Sequence, residues 1–299
     1  VIDRPALRYH GGKFRLATWI MAHMPPHRTY VEPYGGGAGV LLRKERAGLE
    51  VYNDLDGDVV TFFRVVRNSA TREQLIERLA LTPFARAEFE LAYEPTDDQV
   101  ERAARVAVRS WMGYGAAGAV KSTTGFRVSA KDVLLWSRLP DTLAPVGLRF
   151  EGVLIENRPA VDVMLKHDAP DTLHYVDPPY VFATRNHASK SVHRYYRHEM
   201  SDWEHLQLLT CLHNLKGMVM LSGYDTAMYH DALAGWAVRS HDTSGGGNRG
   251  SVPRTEVLWL NEACAARAGD LVKVEAPNDE GGEDQGPPRI PPVESGARE

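Results

Sequence analysis

The sequence predicts an α/β protein: a mostly parallel sheet with helices on both faces. Three observations carry this prediction. Short apolar runs recur along the chain, stretches of helical spacing separate many of them, and two Gly- or Pro-rich motifs stand where strands end.

The runs are rich in Val, Ile, Leu and Tyr and cover residues 29–34, 50–55, 149–156, 174–177, 218–223, 237–241 and 257–261. Each is four to eight residues long, which suits strands buried on both faces. Helical spacing occupies 39–46, 58–67, 160–166, 202–215 and 225–233. Strand–helix alternation of this kind builds βαβ units. No repeat of solenoid or propeller length is present.

Residues 68–146 break the rhythm, with helical patterns at 72–81, 84–93 and 99–112 and no strand. This stretch reads as a helical insert between catalytic segments 1–67 and 147–264. Its centre, 102–138, carries seven basic residues, among them Arg109, Lys121 and Arg127, against Asp132 alone. Interleaved with Trp111, Tyr114, Phe126 and a Gly-rich run, they suit a polyanion such as DNA. A solvated helix face would show the same composition.

The chain has 299 residues, 43% hydrophobic and 25% charged, and a formal charge of −4. That balance excludes a histone-like coat. Residues 265–299 hold eight acids, four bases and two Pro-Pro pairs, and read as a disordered tail that accounts for the whole net charge. No run of about 18 apolar residues and no secretory leader is seen, so the chain reads as cytoplasmic with no membrane partner. Cys211 and Cys264 are too few for a disulfide framework or a cysteine zinc site and read as reduced thiols.

The first motif, Tyr30-Val31-Glu32-Pro33-Tyr34-Gly35-Gly36-Gly37-Ala38-Gly39, follows a predicted strand and opens a predicted helix. Glycines let backbone approach a ligand closely, and Asp54, at the end of the next strand, suits ribose hydroxyls. A tight strand-to-helix turn would need the same glycines. Neither this loop nor Gly11-Gly12-Lys13-Phe14 fits a phosphate-gripping G-x-x-x-x-G-K-[ST], which favours a nucleoside ligand without phosphates over ATP.

The second motif is Asp177-Pro178-Pro179-Tyr180. Consecutive prolines cannot continue an interior ladder, so the chain leaves the sheet there, at the edge where open α/β sheets bind ligands. The Asp177 carboxylate and the Pro178 carbonyl form two acceptors for an exocyclic amine, and Tyr180 offers a stacking face. Downstream, residues 181–200 include Arg185, Lys190, Arg194 and Arg197 against Glu199 and read as a phosphate-facing loop. Its histidines do not form a zinc motif, because Asp202 stands where H-E-x-x-H requires its second His, so no metal is expected.

These two motifs, with Tyr9-His10-Gly11-Gly12-Lys13 and Leu221-Ser222-Gly223-Tyr224-Asp225, resemble the Dam-like class of DNA adenine-N6 methyltransferases over residues 7–261. The resemblance implies a Rossmann-like seven-stranded methyltransferase sheet with an inserted target-recognition subdomain at 68–146. It implies S-adenosylmethionine as methyl donor and double-stranded DNA as partner, and it admits a restriction-enzyme counterpart in the cell. By motif, Tyr9 and Lys13 would contact the cofactor, Glu32, Pro33, Tyr34, Gly35 and Gly37 would line its pocket, Asp54 would hold the ribose, and Asp177 would stand at the cofactor–adenine junction. Asp177, Pro178, Pro179 and Tyr180 would be catalytic. The basic residues expected to meet DNA are Arg109, Lys121, Arg127, Arg185, Lys190 and Arg194. Glu156-Asn157-Arg158-Pro159 matches the family's motif before the catalytic strand less regularly. Two alternatives stand beside this reading: a cytosine-N4 methyltransferase, which Asp at 177 disfavours, and a non-catalytic DNA-binding protein of the same fold.

Overall fold

The computed structural model describes residues 2–114, 125–181, 196–247 and 250–268. Lys121, Arg185, Lys190, Arg194 and the tail from 269 onward lie outside the described residues. One sheet contains β1 Thr29–Glu32, β2 Leu49–Asn53, β3 Val153–Glu156, β4 Thr172–Val176, β5 Met218–Gly223, β6 Ala237–Gly247 and β7 Gly250–Leu260. Its order is β3-β2-β1-β4-β5-β7-β6. The first five strands are parallel, while β7 runs antiparallel to both β5 and β6. This is the Rossmann-like, seven-stranded α/β architecture expected.

Among the described residues the helices are α1 Ala17–Met21, α2 Gly57–Arg67, α3 Ser69–Leu81, α4 Arg86–Leu91, α5 Gln99–Met112, α6 Ala130–Ser137, α7 Leu139–Phe150, α8 Ala160–Lys166, α9 Asp202–Asn214, α10 Ala227–Ala232 and α11 Glu262–Ala268. Several starts are legible in the sequence as caps. Asp56, Asn68, Asp98, Ser129 and Thr226 accept backbone N–H bonds from the first turns of α2, α3, α5, α6 and α10. Ser201 and Glu204 close a capping box on α9. None of these helices is long and apolar enough to cross a membrane.

Alternation along the central strands divides the core into two layers. Leu173, Tyr175, Met218 and Met220 join Tyr30, Tyr52, Phe62 and Phe63 on one face. Val176, Val219 and Leu221 join Leu208, Leu212 and Trp259 on the other. Every residue of β4 and β5 is buried, as strands covered on both sides require.

Four elements differ from expectation. Residues 39–46 form turns rather than a helix: Ala38 has a φ of 54°, and Lys44 turns inward to the buried Glu50 at 2.7 Å. Arg149 lies in the last turn of α7 instead of opening a strand, and Gly152, at φ 83°, separates that helix from β3. The last two strands extend into one long hairpin, because each supplies the other's backbone partners from Ala237↔Leu260 to Gly247↔Gly250. Residues 265–268, expected in the tail, belong to α11, which Asn261 starts by accepting from the N–H of Cys264. Cys264 is buried and Cys211 half-buried, both as free thiols.

The helical content expected of 68–146 is present as α3 to α7. Of these, α3, α5 and α7 pack back on α2 while α4 and α6 pack on α5, and Phe89, Trp111, Trp136 and Leu143 share one core with the sheet. Helix α7 crosses position 146 and ends at Phe150.

Candidate active site

The strand order reverses between β1 and β4, with β2 and β3 to one side and β5 to the other. A switch point of this kind opens a crevice at the carboxyl ends of the strands. A cavity of about 790 Å³ occupies it, lined by residues 9–13, 32–37, 53–56, 158–161 and 196–200 together with Asp177 and Pro179. Every residue expected to hold the cofactor therefore lines one space. Pro178 is buried, and Tyr180 stands beside the cavity rather than in its wall.

The glycine turn is dictated by what surrounds it. A side chain at Gly35 would overlap the ring of Tyr52, and Gly36 has a φ of 45°. Tyr52 donates its hydroxyl to the Gly36 carbonyl at 2.8 Å, while the Gly36 N–H donates to Asp54 Oδ2 at 2.7 Å. Asp54 Oδ1 accepts from the Asp56 N–H at 2.8 Å. Burial pushes the Asp54 carboxyl up to about 6, against these hydrogen bonds. The Leu55 N–H adds a third backbone bond to this carboxylate, which still keeps acceptor capacity for a ligand hydroxyl. Behind the turn, Glu32 accepts from the Tyr30 hydroxyl at 2.8 Å and the Leu41 N–H at 3.1 Å, and burial raises its pKa to about 8.

Residues 164 positions apart meet at the crevice: Lys13 Nζ donates to both oxygens of Asp177, at 2.9 and 3.1 Å, and to the Gly11 carbonyl at 2.9 Å. Burial pushes the Asp177 carboxyl up to about 6, with the Lys13 ammonium opposing it. Burial also disfavours the ammonium, but Asp177 and Glu256 outweigh that cost and raise the Lys13 pKa. The same ammonium lies 4.7 Å from the Tyr180 ring centroid. The Tyr180 ring packs against Tyr224 at 4.5 Å and 70°, and its hydroxyl donates to Glu256 Oε2 at 2.8 Å.

Of the residues expected to meet DNA, the two that lie among the described residues, Arg109 and Arg127, are engaged within the molecule. Arg109 is buried, donating to Asp58 Oδ2 at 2.9 Å and to the Ala92 carbonyl at 2.6 Å, so its assignment to a DNA-facing surface is corrected. Arg102 also pairs with Asp58, and Arg105 with Glu101, acids that lie outside the basic stretch 102–138. Arg127 is half-buried, donates to the Gly113 carbonyl at 2.6 Å and pairs with Asp132.

Tyr196 and Arg197, read from the sequence as part of a phosphate-facing loop, line the cavity instead, the first over His10 and the second anchored on Asp56 at 3.1 Å and Asp58 at 2.8 Å. Glu256 is the residue that sequence reasoning missed. Its signal was period two: Leu258 and Leu260 point into the core, and Glu256 shares their parity one residue before the predicted strand.

The chain matches the family described as D12 class N6 adenine-specific DNA methyltransferase over residues 9–241. It belongs to that family. No curated protein matches this methyltransferase. Among solved structures, precorrin 8W decarboxylase of Methanobacterium thermoautotrophicum is similar at 10% identity and a TM-score of 0.32, covering 82% of this chain and 88% of that one. The D12 family methylates the N6 amine of adenine in DNA and generally uses S-adenosylmethionine. The family match spans the glycine turn, Asp54, Asp177 and Tyr180, and ends before β7.

Proposed function

We propose that this adenine-N6 methyltransferase holds S-adenosylmethionine in the switch-point cavity and methylates an adenine flipped out of double-stranded DNA. One observation carries the reading: Asp177 shares the wall of a single cavity with the glycine turn and Asp54. The cavity's volume of about 790 Å³ lies within the range of cofactor sites, and its walls combine a ribose acceptor, close backbone and apolar surface. When bound, S-adenosylmethionine supplies an electrophilic sulfonium methyl.

The chain's own residues do the rest. Asp54 accepts from the ribose hydroxyls while its bond to Gly36 holds the turn against the ligand. The N6 lone pair of adenine is delocalised into the ring and is a weak nucleophile. Asp177, kept ionised by Lys13, and the Pro178 carbonyl accept the two N6 hydrogens, localise the lone pair and stabilise the positive charge that forms. Lys13 occupies one lone pair on each Asp177 oxygen and the Tyr180 hydroxyl also favours the ionised carboxylate, which leaves acceptor capacity for the amine. Orientation in line with the methyl group lowers the barrier further. Tyr180 flanks the extrahelical base, and the methylated amine then releases one proton to solvent.

Phosphate contacts are assigned to Lys121, Arg185, Lys190 and Arg194, with Arg109 removed from that set and Arg127 held by Gly113 and Asp132. Transfer of tritium from labelled S-adenosylmethionine to DNA, with the label recovered in N6-methyladenine, tests the reading. Absence of label, or label in N4-methylcytosine, overturns it.

A further inference from the structure

Glu256 lies outside the residues matched by the family, yet it touches the catalytic motif. It belongs to β7, opposite His241 of β6. The pairing of β5 with β7 ends at Gly223↔Val257, so Glu256 is the first residue of β7 beyond β5, at the edge where β4 delivers Asp177. Its carboxylate is buried, with a relative exposure of 8%. A buried carboxylate is costly unless something fixes it there. Here it accepts the Tyr180 hydroxyl at 2.8 Å, and its charge also favours the ammonium of Lys13.

We propose that Glu256 is a positioning residue for methyl transfer: by accepting the Tyr180 hydroxyl, it fixes the ring against the target base and weakens that hydroxyl's competition for Asp177. The proposal rests on the reading of the site given above. The physical argument is one of proton count. A tyrosine hydroxyl has one hydrogen to donate, and the Tyr180 hydroxyl stands between two carboxylates, since it also favours the ionised form of Asp177. With Glu256 as acceptor at 2.8 Å, the hydroxyl divides its pull between two carboxylates, and the hold it has on Asp177 is the weaker for it. Without it, Asp177 becomes the hydroxyl's carboxylate partner, and the hydroxyl takes an acceptor site the amine needs. The ring, tethered otherwise by Tyr224 at 4.5 Å and by the ammonium of Lys13, turns with it.

The test is a double-mutant cycle on the full chain. Tritium transfer is measured with S-adenosylmethionine and genomic DNA amplified in vitro, which carries no methylation, for wild type, Glu256→Ala, Glu256→Gln, Tyr180→Phe and the Tyr180→Phe/Glu256→Ala pair. Glu256→Ala lowers kcat about tenfold, the size expected for one lost hydrogen bond to a charged group, and leaves the KM for S-adenosylmethionine within about twofold. Glu256→Gln keeps a carbonyl acceptor and recovers turnover to within about threefold of wild type. In the Tyr180→Phe background, Glu256→Ala costs less than about twofold, because no hydroxyl is left to position.

A full tenfold loss in that background overturns the proposal, as does a Gln variant no better than Ala or an Ala variant with wild-type kcat. Should Glu256→Ala fail to fold by thermal melting, Glu256→Asp takes its place in the cycle, since it keeps the charge and withdraws the oxygen. Asp177→Ala separates the two readings. Wild-type turnover in that variant sinks the site itself, whereas an inactive Asp177→Ala with an additive cycle sinks only the role of Glu256.

Discussion

The ammonium of Lys13 bridges both carboxylate oxygens of Asp177, at 2.9 and 3.1 Å. This pair joins the start of the chain to the end of β4 and sets the charge state of the group proposed to receive the adenine amine. Asp177 is pushed up to about 6 by burial, and Lys13 restrains that rise. An ionised Asp177 accepts hydrogen bonds from N6, and a protonated one does not accept them equally. The pH dependence of kcat/KM should therefore show an acidic limb, with activity falling as pH drops through about 6. Lys13→Met removes the restraint and should move the limb to higher pH. A limb at the same position in that variant would separate Lys13 from the control of Asp177.

Asp177→Ala removes the acceptor and should lower kcat by about 10²-fold or more, the order found when a preorganised transition-state partner is deleted. Binding of S-adenosylmethionine, followed by equilibrium dialysis, should persist, because Asp54 and the glycine turn remain. Loss of cofactor binding with kcat unaffected at saturation would reassign Asp177 to cofactor binding.

Gly35→Ala places a methyl group into the ring of Tyr52, which cannot retreat because its hydroxyl is bonded to the Gly36 carbonyl at 2.8 Å. We expect a loss of about 1–3 kcal/mol in stability from overpacking. Cofactor affinity should fall with it, since Gly36 is the residue that Asp54 holds. Unchanged affinity in isothermal titration would show that the turn does not contact the cofactor.

Arg109→Ala leaves Asp58 with Arg102 and Arg197 but strips one buried charge-assisted bond, so stability should drop by about 1–3 kcal/mol. The salt dependence of DNA binding should keep its slope, because a buried guanidinium releases no counterion from phosphate. A shallower slope would return Arg109 to the DNA interface.

Glu32 makes a prediction about stability rather than turnover. Burial raises its folded pKa from an ordinary 4.5 to about 8. Between those values the unfolded chain has lost the proton that the folded chain keeps, so this group's contribution to stability declines as pH rises. Glu32→Gln has no such proton, and its melting temperature should gain on wild type steadily from pH 4.5 to about 8. A constant difference across that range would show that Glu32 is ionised throughout.

Much of the fold was legible because it depends on local chemistry. Buried strands need apolar runs and helices a repeating apolar face: α5 and α8 begin and end where helical spacing placed them. The candidate cofactor residues were legible for the same reason, since the glycines and Asp54 act through backbone turns written in consecutive residues. What failed was whatever depended on a distant partner. Arg149, expected to open a strand, sits in α7 with its guanidinium on Glu50, 99 residues earlier, and the long hairpin emerged because β6 and β7 satisfy each other's backbone.

The sequence by itself determined the class of sheet, the order of its motifs and the chemical types gathered for adenine methylation. Only the tertiary structure decided which charges are free. Arg109, counted as part of a basic surface, is buried against Asp58, an acid 51 residues earlier in the chain. Glu256, one residue outside a predicted strand, comes to the hydroxyl of Tyr180 from 76 residues away. Pairing energy depends on distance and burial, which sequence separation does not encode. A charge becomes available to DNA, or to a catalytic tyrosine, only once the fold has chosen its neighbours.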